Sequence, residues 1–261
     1  MTDREQLLAL YGVCFPEDGP DFWSCFFDRI WQPGNTLCVR EGGRIVSSLQ
    51  MIPCELRLGE KCFAAHYIYA AATMPQWQGQ GLMAGLLARA AEEGRARGQD
   101  FSVLITQEDS LLDYYARFGY APRLKLGLGQ PEADGGTGRV RVAGPEDIPA
   151  MNALYEQAAE RLLHGARDEY HWRLQLELFG EGARVLEGED GPSAYAFADE
   201  RGILEAVGPL AGALAARLQP GKPWRTLPGA GARPMGSIKP LNDRAQAALE
   251  QNRCFLNLMF N

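Results

Sequence analysis

The sequence predicts a two-domain α/β chain, and three observations predict it. Its 261 residues are 46% hydrophobic and 23% charged, which suits ordinary buried cores and either one large domain or two of about 130 residues. Strand-like and helix-like segments alternate along the first half, and a similar order restarts in the second. Between the halves, residues 130–138 hold one Pro, one Glu, one Asp, three Gly and no large apolar residue, the composition of an exposed connection. The predicted division is therefore residues 1–130, a linker at 131–138, and 139–261.

The elements follow in order. Glu5 to Val13 has a short helical pattern, and Pro20 to Trp31 a second, with Phe22, Phe26, Phe27 and Ile30 spaced to share a face. Pro33-Gly34-Asn35 breaks the chain. Leu37 to Arg40, the turn Glu41-Gly42-Gly43 and Ile45 to Leu58 read as a hairpin whose second arm carries Pro53, the mark of a bulge or an edge. Phe63 to Thr73 is a third arm. Gly81 to Arg97 is the clearest helix, with Leu82, Met83, Leu86, Leu87, Ala90 and Ala91 in one apolar stripe. Phe101 to Thr106 reads as a strand, Ser110 to Phe118 as a helix closed by Gly119, and Pro122 to Leu128 as a strand. The second half begins with a strand at Arg139 to Val142 and a helix from Pro145 to about Leu163. A helix at Tyr170 to Phe179 follows, then strands at Ala183 to Glu187, Ser193 to Asp199 and Gly202 to Ala206, and a helix at Pro209 to Leu218.

Charge and composition exclude several classes. A net charge of −7 and a pI near 5.1 argue against a nucleic-acid or membrane-surface partner, which would favour a basic face, and weakly suit a cationic substrate. Six cysteines are spread without a C-x-x-C pair or clustered histidines, so neither a metal site nor a disulfide framework is signalled, and reduced, mostly buried thiols are expected. The first residues lack a basic stretch followed by an apolar run, and no apolar segment approaches the roughly 18 residues that span a bilayer. A cytoplasmic protein is expected.

The chemistry centres on Gln78-Gly79-Gln80-Gly81-Leu82-Met83, between a strand and an amphipathic helix. Two glycines let the main chain approach a ligand, and first-turn amides at the positive end of a helix dipole bind anionic oxygens such as a pyrophosphate. A Rossmann fingerprint is excluded because Gly79, Gly81 and Gly85 are spaced one residue too long, and the surroundings do not read as a parallel βαβ unit. The Gly-Lys-Ser/Thr of a Walker loop is absent. What remains closely resembles motif A of the GNAT acyltransferase superfamily, which has Gln or Arg, two residues, Gly, one residue, then Gly or Ala. Gln78 matches the first position, Gly79 and Gln80 the variable pair, Gly81 the fixed glycine and Leu82 the next variable residue. Met83 departs from the usual Gly or Ala, although a Leu-Met ending also occurs in the enhanced-intracellular-survival branch that the N-terminal half resembles.

The resemblance implies two GNAT-like domains, each a mixed, mostly antiparallel sheet flanked by helices. It implies that the loop, through the first turn to Ala84, cradles the pyrophosphate of acetyl-coenzyme A, with no metal. Ala71, Ala72 and Thr73 would hydrogen-bond the pantetheine arm through their backbone. The acceptor would be a primary amine of a small molecule or peptide.

A second pattern, Asp113-Tyr114-Tyr115-Ala116-Arg117-Phe118-Gly119-Tyr120, resembles the family's tyrosine four residues before an aromatic-closing Gly-Phe/Tyr. Tyr115 occupies that place. A phenol of pKa about 10 is a neutral donor at pH 7 that can protonate the thiolate leaving a thioester. Taken alone, Tyr115 is equally readable as a packing tyrosine; Tyr114, one residue round the helix, is expected to point elsewhere. Glu108 or Asp109 is a candidate base, and so is the terminal carboxylate of Asn261, a role assigned in the resembling branch. His66, on a strand, reads as structural, and His164 and His171 are scattered. Trp23, Phe26, Phe27 and Trp31 are readable as an acceptor lining or as core.

The second half repeats the layout without the glycine loop: Gly208-Pro209-Leu210 stands in its place. Two further readings stay open, a non-catalytic acyl-CoA-binding regulatory module and a transferase of a different acyl group. Exposed edges and the apolar run from Phe255 to Phe260 leave a homo-oligomer open as well, though that run is expected to complete the second domain's sheet.

Overall fold

The computed structural model describes residues 1–106, 108–130, 138–189, 191–229 and 231–257. The chain begins with α1 (Asp3–Cys14), α2 (Pro20–Arg29), β1 (Thr36–Glu41), β2 (Arg44–Leu58), β3 (Lys61–Thr73), α3 (Leu82–Ala96), β4 (Phe101–Ile105) and α4 (Ser110–Ala116). Then come β5 (Ala121–Gly129), β6 (Val140–Val142), α5 (Ile148–Ala159), β7 (Leu162–Gly165), α6 (Glu169–Phe179), β8 (Ala183–Gly188), β9 (Gly191–Asp199) and β10 (Gly202–Val207). The chain continues through α7 (Ala211–Leu218), β11 (Trp224–Thr226), β12 (Arg233–Pro240), α8 (Asp243–Gln251) and β13 (Arg253–Phe255). Strands and flanking helices thus alternate in a mixed α/β architecture.

Two compact units divide the chain. Met1–Glu55, Phe63–Ala121 and Ser237–Ala247 form the first, and Leu56–Cys62, Pro122–Gly236 and the residues from Ala248 onward form the second. The first unit therefore takes eleven residues from near the far end of the chain, Ser237–Ala247, an exchange that a contiguous cut at 131–138 does not contain. Most of that linker, residues 131–137, lies outside the described residues.

In the first unit, Thr2 and Glu5 cap α1 reciprocally: the Glu5 amide donates to the Thr2 hydroxyl at 3.3 Å and the Thr2 amide to the Glu5 carboxylate at 2.7 Å. Pro20 opens α2, where its fixed φ suits a first helical position. Together α1 and α2 bury Leu7, Leu10, Tyr11, Trp23, Phe26 and Phe27 with Ile45 and Ala72 in one core cluster. Trp23, Phe26 and Phe27 are thus core residues, and Trp31, half-buried, donates its indole N–H to Thr36 Oγ1 at 2.9 Å.

β1 and β2 pair antiparallel from Thr36↔Gln50 to Glu41↔Arg44, with a bulge between Val39 and Arg40. Pro53 lies on β2 beyond the last residue paired with β1, where no β1 partner flanks it. β3 and β4, by contrast, are parallel, in the register Ala65↔Phe101 to Tyr67↔Val103, with α3 as their crossover. The glycine loop therefore does sit inside a parallel βαβ unit, contrary to the sequence reading. A crossover helix is what parallel pairing requires, but the pairing itself leaves no local mark in the sequence. Asp100, at the start of β4, ties the returning segment in: Leu241 N donates to its carbonyl at 2.8 Å and Asn242 Nδ2 to its carboxylate at 3.0 Å.

His66 on β3 is fully buried, with Nδ1 2.6 Å from Gln99 Oε1 and Nε2 without a partner. Gly94 makes room for the ring, since a Cβ there would stand 2.7 Å from His66 Cε1. Burial lowers the His66 pKa to about 4, so the folded state binds this proton less tightly than the unfolded chain. Its contribution to stability is therefore complete above pH 6.5 and lost as the pH falls from 6.5 towards 4. We expect urea unfolding to show a decline of up to ~3 kcal/mol over that window, and His66→Gln to remove that limb.

The second unit contains an antiparallel sheet in the order β10-β9-β8-β6. In the same unit, β13 lies between β5 and β7, parallel to both, and β11 pairs antiparallel with β5. One core cluster joins Met151, Tyr155, Trp172, Tyr195, Phe197 and Phe255. At its centre Arg167 and Glu205 form a bidentate ion pair, both bonds 2.6 Å, with neither side chain accessible beyond 1%. Tyr195 Oη donates to Glu205 at 2.8 Å, Asn257 Nδ2 at 2.9 Å, and the Arg167 guanidinium lies 4.1 Å from the Tyr155 ring centroid.

Two sequence expectations change here. The helix from Pro145 ends at Ala159 and Leu162–Gly165 is a strand, because Leu162 and Leu163 extend the apolar pattern whichever backbone carries them. The elements after Leu218 are more numerous than the sequence suggested; β13 does join the second unit's strands, while residues 258–261 lie outside the described residues.

Candidate functional site

After β3, one turn of 3₁₀ helix at Pro75–Trp77 leads into Gln78 and the loop. Gly79 has φ 74° and Gly81 φ 77°, both left-handed, and Gly81 is the residue at which α3 begins. A Cβ on either would meet nothing within 4 Å, so the backbone angle, and not crowding, calls for glycine. Replacing Gly81 by Ala is expected to cost ~1–2 kcal/mol in urea unfolding, the penalty of a left-handed L-residue. An unchanged midpoint would mean that the loop relaxes freely.

The loop leaves its donors open. Gly85 N bonds to Gly81 O at 3.0 Å to start the helical ladder, but among the described residues no hydrogen bond uses the amides of Gly79, Gln80, Gly81, Leu82, Met83 or Ala84. Gln78 to Gly81 are exposed, and Leu82 to Ala84 half-buried. Six consecutive free amides at the positive end of a 15-residue helix suit a polyanionic group such as a pyrophosphate. The two glutamines brace the loop from beneath, Gln78 Nε2 donating to Thr73 O at 3.2 Å and Gln80 Nε2 to Gln76 O at 3.4 Å.

The strand that feeds the loop is also open, on its β4 side. The β3–β4 ladder has its last partner pair at Tyr67↔Val103, whereas β3 runs on to Thr73 and β4 to Ile105. Ala70, in the stretch beyond the β4 partners, has φ 47°, the single non-glycine residue with positive φ among those described. A left-handed alanine inside a strand costs on the order of 1–3 kcal/mol and persists only where the surroundings impose it. The next residues are held from the other side: Ser47 Oγ donates to Ala72 O at 3.1 Å and lies 2.8 Å from Thr73 Oγ1, and Cys14 Sγ lies 3.5 Å from Thr73 O.

Tyr115 is near the end of α4, half-buried, and its hydroxyl makes no hydrogen bond to a described residue. Its ring packs on the cluster of Leu49, Met51, Ile68, Leu86, Leu87, Ala90, Leu104 and Tyr120. Met83 and Ala71 pack against that same cluster, so loop helix, strand and tyrosine share one hydrophobic floor. Burial raises the Tyr115 pKa to about 12, with Tyr114 adding a smaller push. Tyr114 does not point away as expected: it packs against the same cluster, its ring centroid 5.3 Å from that of Tyr115, with the Arg117 guanidinium 4.8 Å above it.

The remaining candidates are scattered. Glu108 and Asp109 are exposed, with Glu108 Oε2 accepting from Ser110 Oγ at 3.1 Å, and Asn261 lies outside the described residues. His164 is buried between Leu162 O and Glu156, and His171 pairs with Asp168 at 2.7 Å. Arg97 bonds to Glu93 at 2.9 Å and to Asn35 at 2.7 Å, a surface role. All six thiols are free, but only Cys254 is buried; Cys62 is exposed and the rest half-buried, Cys14 and Cys38 at the margin of the first unit's core cluster. Among the described residues no group of three or more His, Cys, Asp and Glu side chains could hold a metal ion, and no helix is long and apolar enough to cross a membrane.

Sequence reasoning missed Ala70 and Ser47. Alanine gives no sign of a positive φ, and a buried serine on β2 is recognisable only once Thr73 is known to lie beside it.

Comparison with known proteins bears on this geometry. Residues 1–123 match the family model of the acetyltransferase (GNAT) domain. No curated protein matches the sequence significantly. Among solved structures, a probable N-acyltransferase from Enterococcus faecalis V583 aligns over 93% of this chain and 71% of its own, at 11% identity and a TM-score of 0.68. A GCN5-related N-acetyltransferase from Kribbella flavida aligns over 92% and 70%, at 17% identity and 0.67. Eis1 from Mycobacterium abscessus aligns over 95% and 73%, at 16% identity and 0.66. Such identities speak for the fold, and the coverage extends it over nearly the whole chain. Residues 1–123 thus match a GNAT acetyltransferase domain, and the chain has a fold that solved GNAT N-acetyltransferases share.

Proposed function

We propose that this protein is a cytoplasmic N-acetyltransferase that moves an acetyl group from acetyl-coenzyme A directly to a primary amine of a small molecule or peptide, with Tyr115 as general acid. The observation that carries this reading is the run of six open amides from Gly79 to Ala84, on a helix whose Met83 shares a packing cluster with Tyr115 and Ala71. The amides fit the pyrophosphate of coenzyme A, and the edge of β3 that β4 leaves uncovered at Ala71, Ala72 and Thr73 fits its amide-bearing arm. When bound, the thioester supplies an activated acyl group.

The chain's own groups do the rest. A backbone N–H in the distorted stretch beside Ala70 donates to the thioester carbonyl, which requires no particular side chain. Tyr115 holds its proton at Oη and would give it to sulfur as the C–N bond forms and the C–S bond breaks, while the proton shed by the amine nitrogen would return to the phenolate through solvent. A phenol at about 12 is a weaker acid than an ordinary thiol of about 8.5, so full transfer would run uphill. The burial that raises the phenol also raises the basicity of a thiolate formed against the same face, which narrows the mismatch. The active domain is the one built on residues 1–130; the domain built on 139–261 lacks the cofactor loop. In its favour, Gly208 approaches its own sheet so closely that a Cβ would stand 2.5 Å from Ser193 O, and the Leu210 and Ala211 amides are already hydrogen-bonded.

Calorimetry with coenzyme A, followed by free-thiol release from acetyl-CoA against polyamines, aminoglycosides, amino acids and peptide N-termini, tests this reading. Binding with turnover on at least one amine supports it. Binding without turnover on any would favour a regulatory module, preference for a longer thioester would favour a different acyl group, and absence of binding would overturn the site.

A further inference from the structure

The turn that follows Tyr115 is held by a residue from near the far end of the chain. Lys239, on the part of β12 that belongs to the first unit, donates from Nζ to Phe118 O at 2.7 Å. Its stem lies 3.6 Å from where a Cβ on Gly119 would stand, and its ammonium is 5.6 Å from the Tyr120 ring centroid. The backbone between closes on Tyr115 itself: Phe118 N and Tyr120 N both donate to Tyr115 O, at 2.9 and 3.3 Å. The Tyr120 ring is fixed by a 2.7 Å bond between its hydroxyl and Ser102 Oγ, and its centroid is 6.0 Å from that of Tyr115. Lys239 therefore bonds to one end of the turn between α4 and β5 and lies over the aromatic ring at the other.

Lys239 is poised for this task. It is half-buried and makes no ion pair with a described carboxylate, so its charge is directed at the carbonyl end of α4, where a cation is favoured. Burial, with Arg95 adding to it, lowers its pKa, and the Phe118 carbonyl is its one polar partner among the described residues. The segment around it is anchored by Asp100 and by Arg95 Nε, which donates to Leu241 O at 3.2 Å.

We infer that Lys239 is a positioning residue for Tyr115, so that acid chemistry in the N-terminal domain depends on a strand encoded more than a hundred residues after it. This rests on the reading of Tyr115 as general acid. The ammonium sets the Phe118–Tyr120 turn, the turn sets the last residues of α4, and these set the direction of the phenol.

The test is Lys239→Met, which keeps the stem and removes the ammonium. In the full-length protein we expect kcat to fall on the order of tenfold with KM for acetyl-CoA and coenzyme A affinity unchanged, and Lys239→Arg to restore most of it. The ¹³Cζ resonance of Tyr115 should shift in Lys239→Met without any ligand or turnover. In a Tyr115→Phe background, Lys239→Met should cost nothing further. An unshifted resonance with full kcat, or an equal loss in both backgrounds, would overturn the inference. If instead Tyr115→Phe alone leaves kcat unchanged, the acid reading fails, while the resonance still reports on positioning. Thermal unfolding accompanies each variant, and Lys239→Gln, a milder change, is read in the same way if Lys239→Met does not fold.

Discussion

Replacing Tyr115 by Phe is expected to lower kcat by about 10²–10⁴-fold, the usual worth of a positioned proton donor, with coenzyme A binding unaltered. The ring's packing against Leu86, Leu87 and Tyr120 survives the change, so stability should hold and the loss should appear in turnover alone. The pH dependence has a definite sign. With its pKa raised to about 12, Tyr115 keeps its proton throughout the range in which the enzyme would be assayed, so an alkaline fall in rate well below pH 12 belongs to another group. The same raised value contributes stability that is complete below pH 10 and lost as the pH rises through 12. Steady-state rates of wild type and Tyr115→Phe from pH 6 to about 10 decide the matter; equal rates would remove Tyr115 from the chemistry.

The second large effect is on stability. Arg167→Met should destabilise the protein by about 3–5 kcal/mol, because it leaves the Glu205 carboxylate buried with only Tyr195 and Asn257 to hold it. Against a typical total of about 5–15 kcal/mol, that is enough to leave a marginal protein largely unfolded at 37 °C. Burial alone would disfavour the Arg167 charge, yet Glu205 outweighs it and raises the Arg167 pKa further above its ordinary value, so Arg167 stays charged. Removing both charges, as in Arg167→Met with Glu205→Leu, should recover most of the loss. Urea unfolding of the two single variants and the double variant measures the coupling. Additive losses would mean that the two side chains act independently.

The parts legible in the sequence were those that chain-local physics specifies. The apolar stripe from Leu82 to Ala91 marked α3, the spacing Gln78-Gly79-Gln80-Gly81 marked a glycine loop ahead of a helix, and the aromatic turn after Tyr115 marked the end of α4. Each depends on residues within about ten positions of one another. What was not legible depends on residues far apart: the parallel pairing of β3 with β4, the distortion at Ala70, the contact of Ser47 with Thr73, and the packing of Tyr114 against the cluster that holds Leu49, Ile68 and Leu104. The Arg167–Glu205 pair is the plainest case. Neither residue is distinguished in its own neighbourhood, and only the meeting of α6's leading segment with β10 makes them partners.

The eleven residues Ser237–Ala247 set a timetable for synthesis. The ribosome finishes residue 121 long before it reaches 237, and at about 5–20 residues per second the delay is on the order of ten seconds. Throughout that interval the first unit has emerged without the segment that bonds to Asp100 and caps the turn after Tyr115. Its β4 carries an open flank, the kind of edge that pairs with the wrong strand or recruits a chaperone. A nascent chain stalled near residue 180, with β4 and α4 outside the exit tunnel, should therefore be protease-sensitive at both and become resistant only once residues 237–247 have emerged as well.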